Sequence, residues 1–95
     1  MKTEALAIIG RKAVEHHQLE LAHKTARRKM SEAYIQWKGS VGLDRVESGT
    51  DDWDEMMMDT KPQFLAFKRA KASMRNAKQR LDRAVVSASR VGIAA

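Results

Sequence analysis

Residues 67–91 read FKRAKASMRNAKQRLDRAVVSASRV. Within them Phe67, Ala70, Met74, Ala77, Leu81, Ala84, Ala88 and Val91 are spaced 3, 4, 3, 4, 3, 4, 3. That is a heptad stripe on one long helix, and the rest of the chain reads as material to cover it. The same helix carries most of the excess charge. Residues 61–95 hold nine Lys and Arg against one acid, Asp82. With the stripe at heptad positions a and d, Lys68, Arg69, Arg75, Arg83 and Arg90 fall at b or c, on the outer face. Lys71 and Lys78 flank the stripe at e, and Arg80 at g.

Working backwards, Pro62 suits the first turn of this helix, and it pushes Lys61 out of the α region. A break is therefore expected near Thr60 and Lys61. Gly92 is the expected stop, with residues 93–95 frayed. Before the break, Asp51 to Asp59 reads as a short acidic helix, with Asp52 and Glu55 fitting a capping box. Gly39, Ser40, Gly42, Ser48 and Gly49 punctuate a loop over residues 39–50. Ahead of the loop, Leu6, Ile9, Ala13, His16, Leu19, Ala22, Ala26, Met30, Ala33 and Trp37 recur at steps of 3 or 4. They predict a first helix over about residues 4–38, capped by Thr3 and stopped at Gly39. Gly10 is its one weak internal point.

The expected fold is all-α. Two long helices form an antiparallel hairpin, with a short acidic middle helix and a single domain over residues 1–95. Ala70, Ala77 and Ala84 let helix axes approach closely, while Phe67, Met74 and Leu81 fill the space between them. Two helices make a thin core. The reading therefore covers both a three-helix bundle and half of a dimeric four-helix bundle.

The formal net charge is +6, unevenly spread: +4 over residues 1–43, −6 over residues 44–60 and +8 over residues 61–95. Such a chain attracts polyanions, or folds its acidic middle onto its own basic faces. There is no cysteine, which removes disulfides, thiolate zinc sites and thiol nucleophiles. No run of about 18 apolar residues exists to span a membrane, and the stretch from Ala5 to Ile9 is too short for a signal h-region. A membrane-surface role is disfavoured because half the stripe is alanine. A reducing, cytoplasmic compartment is the expectation.

Catalytic signatures are missing. Gly39-Ser40-Val41-Gly42 lacks the spacing and lysine of a phosphate loop, and no Ser-x-x-Lys or His-Glu-x-x-His occurs. The expectation is a protein that is not an enzyme and uses no cofactor. His16, Glu20 and His23 share a helix face, and Glu20 to His23 has the Glu-x-x-His form of di-iron bundles. Such a site needs more inward carboxylates than Asp82 supplies, so no metal site is assigned.

Partner contact is the remaining chemistry. The candidates for phosphate or protein contact are Lys68, Arg69, Arg75 and Arg83, with Lys24, Arg27 and Arg28 on the first helix. Trp53, Met56 and Met57 form one i, i+3, i+4 face whose thioethers suit an adaptable apolar contact. Their plainer role is to plug the end of the hairpin, with Met58 off that face. Aromatics are few and sit on stripes, so base-stacking platforms are not evident. The preferred expectation is a small helical adaptor or inhibitor of a protein in a nucleic-acid-handling complex, of phage or mobile-element type. Two alternatives stand beside it: a sequence-nonspecific DNA or RNA binder, and a structural homo-oligomer such as a homodimer.

Overall fold

A computed structural model describes the backbone of residues 3–94 and the side chains of residues 3–90. It contains three helices, α1 (Thr3–Val41), α2 (Asp51–Asp59) and α3 (Lys61–Ala94), and no strand among the described residues. The molecule is a rod of 65 × 21 × 17 Å. Its radius of gyration is 19.9 Å, where a compact chain of this length has about 12 Å.

α1 and α3 lie side by side over most of their length, and α2 touches both at one end. Glu15 bonds to Arg80, His23 stacks on Phe67, and Trp37 bonds to Asp59. From Glu15 to His23 on α1, the α3 contacts step from Arg80 to Phe67.

The α3 side of this contact follows the heptad stripe. Ala77 and Ala88 are buried, and Phe67, Ala70, Met74, Leu81 and Ala84 are half-buried. Val91, the last stripe position, lies outside the described side chains. On α1 the inward residues are Ala5, Ile9, Lys12, His16, Leu19, His23, Ala26, Met30, Ala33 and Trp37. Three expected positions are displaced: Ala5, Lys12 and His23 replace Leu6, Ala13 and Ala22, which are exposed. The cause is geometric. A helix mated to a strict 3–4 stripe must keep a strict 3–4 stripe itself, whatever residues then fall on it. Lys12 is tolerated because its stem can pack while its ammonium reaches outward, to within 3.7 Å of Glu15.

The helix ends also move. Gly39 stays helical and α1 runs to Val41. The left-handed residue is Gly42, with φ of 73°. The Leu43 amide donates to the Lys38 carbonyl (2.9 Å) and the Gly42 amide to that of Gly39 (3.3 Å). This pair of bonds is a Schellman stop. It falls three residues beyond Gly39, because of the two glycines at this helix end only Gly42 adopts positive φ. The cap of α2 is Thr50, whose hydroxyl accepts from the Trp53 amide at 3.2 Å. The Asp52–Glu55 box is displaced by that earlier cap.

Thr60 makes the break between α2 and α3 in one residue. Its amide and hydroxyl both donate to the Met56 carbonyl, at 2.9 and 2.6 Å, ending α2. Its own carbonyl accepts from the amides of Gln63 and Phe64, both at 3.1 Å, starting α3. Pro62 costs nothing there, because a first-turn amide has no intrahelical acceptor. Lys61 is already helical. At the other end, Gly92 does not stop α3, which continues to Ala94.

Candidate functional site

At the closed end of the rod, where α2 meets α1 and α3, Trp37, Met56 and Thr60 are all buried, and the Trp37 indole donates to Asp59 at 2.8 Å. Trp53 and Met57 are half-buried at the same joint. Met56, at 3% exposure, has its surface taken up within the chain. Met58 is the methionine that faces outward, at 71%.

Lys68, Arg69, Arg75 and Arg83 are all exposed along α3. They do not converge on one pocket. Lys68 and Arg75 line a groove with Phe64, Phe67 and Lys71. The Lys68 ammonium sits 5.4 Å from the Phe64 ring centre, a cation–π contact that holds the charge at the groove's edge. Arg69 lines a second groove with Met58, Lys61, Pro62 and Leu65. Arg83 lines a third, near the open end, with Ala5 and Ile8. The arrangement is a row of cations, each beside apolar surface. Phe64 and Leu65 supply that surface although the stripe alone does not single them out. Phe64 lies one turn before Lys68, and that i, i+4 spacing is the signal that could have found the contact.

On α1, Lys24 lies 3.9 Å from Glu20, and Arg28 lies 3.7 Å from Glu32. Arg27 is exposed. Two of these three cations are therefore answered by acids on their own helix, although pairs this exposed contribute little stability.

The acidic segment stays at the closed end. Among the described residues, none of Asp44, Glu47, Asp51, Asp52, Asp54, Glu55 or Asp59 forms an ion pair. Lys68, Arg69, Arg75 and Arg83 also have no ion-pair partner there. The rod is thus electrically polarised, acidic at one tip and cationic along α3. Among the described residues the one ion pair that ties the long helices together is Arg80 to Glu15, at the seam's edge. The Arg80 hydrogen bond holds the Glu15 carboxyl below its ordinary value of 4.5, against some desolvation, with Lys12 adding to the effect. Burial pushes the Tyr34 phenol above its ordinary 10.0.

His16 and His23 face the seam rather than a shared metal position. The His23 ring stacks on Phe67 with centroids 5.3 Å apart. Among the described residues no three His, Asp or Glu side chains are grouped to hold a metal. No described helix is long and apolar enough to cross a membrane. No protein-family model, curated protein or solved structure matches this chain.

Proposed function

We propose that the chain is an antiparallel two-long-helix hairpin acting as a non-enzymatic adaptor or inhibitor. Its partner is a protein with an acidic surface, within an assembly that handles nucleic acid. The observation that carries this reading is the unanswered row Lys68, Arg69, Arg75 and Arg83. Residues 44–60 alone hold seven acids, yet among the described residues none pairs with that row. A rigid helix holds these cations at fixed intervals, with Lys68 and Arg83 about 22 Å apart along the axis. Such spacing favours a pre-shaped acidic groove, since little ordering entropy is left to lose on binding. The apolar surface beside each cation supports a protein rather than a bare phosphate row. Met58 and Leu65 flank Arg69, and Phe64 flanks Lys68. Trp53, Met56 and Met57 support the joint that presents Met58.

Direct binding to DNA or RNA is the second reading, favoured by the length and sign of the cationic row. Affinity capture from the host lysate, with and without nuclease, separates the two. The adaptor reading expects the same captured protein after nuclease treatment, and only weak, salt-sensitive shifts of a labelled duplex. Capture that disappears with nuclease, alongside tight duplex binding, overturns it in favour of the second.

A further inference from the structure

The seam accounts for one side of each long helix, and α1 carries a second apolar line that the seam does not use. With the inward stripe at heptad a and d, Val14, Leu21 and Ile35 fall at f, directly outward. They are 57%, 48% and 64% exposed. Leu6, beside Ala7 at the start of the same line, is 54% exposed. Ala7 and Arg28 occupy the other two f positions. An amphipathic surface helix keeps that face polar; here it is apolar at regular spacing.

The outer face of α3 could not receive a second copy, because its cations would be set against each other. The flanks of the α1 line are different. Arg11 lies near one end and Glu32 near the other, both exposed. We infer that α1 packs by this line against α1 of a second copy, antiparallel, about a two-fold axis passing beside Leu21. In that register Leu21 meets the partner's Leu21, and Ile35 meets the partner's Leu6. Arg28 lays its apolar stem on the partner's Val14. Arg11 meets the partner's Glu32, and the two-fold axis repeats that pair. A parallel register would instead set Arg11 on Arg11 and Arg28 on Arg28. The antiparallel one also brings each acidic tip, −6 over residues 44–60, beside the partner's open end, where Arg83 and Arg90 stand.

The area supports this. The chain exposes 7140 Å², whereas a compact protein of 10.7 kDa exposes about 5,500 Å². The surplus of about 1,600 Å² exceeds the roughly 800 Å² that each partner buries in a standard interface. Enough surface is left for a separate partner on α3. The dimer is independent of the adaptor reading, and it would present two cationic faces pointing away from each other.

Sedimentation of the full chain tests the proposal together with single-cysteine variants, which are clean because the chain has no native Cys. The wild type is expected to run as a dimer. Leu21→Glu is expected to run as a helical monomer while keeping the α3 partner binding. Leu21→Cys is expected to form an interchain disulfide on mild oxidation. Val14→Cys and Ile35→Cys are not, because the paired sulfurs would sit about 21 and 42 Å apart along the axis. Arg11→Glu should weaken the dimer about five- to tenfold, and Arg11→Glu with Glu32→Arg should restore it. A monomeric wild type overturns the proposal. So does equal cross-linking at all three positions, which marks a parallel register. Open-ended oligomers that dissolve in salt also overturn it, since they mark tip-to-tail contact.

Discussion

The outer faces of α1 and α3 belong to helices of similar length, mated along one seam, yet they differ in kind. On α3 the outward positions hold Lys68, Arg69, Arg75 and Arg83, without acidic partners among the described residues, and exposed Val85 and Val86 only near its end. On α1 they hold Val14, Leu21 and Ile35, with two nearby cations answered by Glu20 and Glu32. A rod with a thin interior keeps only one edge of each helix for itself. What the other edges carry is therefore free to serve association. The two proposals assign these faces associations of different physics, one electrostatic and open to a foreign partner, one apolar and self-complementary.

Separating inside from outside on α1 gives the largest expected effect. Trp37→Ala should cost about 3–5 kcal/mol, because it removes the largest buried side chain at the closed end. Ile35→Ala, two residues away but outward, should cost less than about 0.5 kcal/mol in dilute solution. Urea melts of both variants check this, and similar losses would erase the distinction between the faces. On α3, Ala77→Leu should destabilise by about 1–3 kcal/mol through overpacking. Ala72→Leu, on the exposed face, should be nearly neutral.

His23 provides a test in the opposite direction. Its Nε2 is buried without a hydrogen-bond partner. His23→Leu should therefore raise stability by about 1 kcal/mol, since an unmet buried polar atom carries a desolvation penalty. A thermal melt showing a lower Tm would contradict the seam position assigned to it. Thr50→Ala, which removes the α2 cap, should cost about 1 kcal/mol.

The smallest effect is expected from the seam-edge ion pair. Glu15 titrates below its ordinary 4.5 in the folded chain, so its stabilising pair with Arg80 is present above that pH. The contribution is lost as pH falls through the lower folded value. In Glu15→Gln the acid limb of the stability profile should flatten slightly, with little change near neutrality. An unchanged acid limb would mean that the pair contributes nothing in solution.

The α3 half of the seam was legible because its stripe is strict and Pro62 and the Thr60 region punctuate its start. The α1 half was only partly legible. Leu6, Ala13 and Ala22 look inward by hydrophobicity, but the register imposed by α3 puts Ala5, Lys12 and His23 there instead. Local signals alone could not choose Gly42 over Gly39, nor Thr50 over Asp52, since each pair offers equivalent cap chemistry a few residues apart. The cationic face could be read from the heptad register alone. The lack of an ion pair from the acidic segment among the described residues could not, because it depends on where α2 sits. Met58 became relevant for the same reason: burial of Met56 beside Thr60 turns it outward.

The outward cations of α3 are proposed to carry partner binding. The most direct test is capture after nuclease treatment, with Arg69→Glu, Arg75→Glu and Arg83→Glu combined in the full chain and helicity followed by circular dichroism. The account predicts unchanged helicity and loss of the partner by at least about a hundredfold, as expected when an electrostatically matched face is reversed. Undiminished capture by the reversed chain would contradict it.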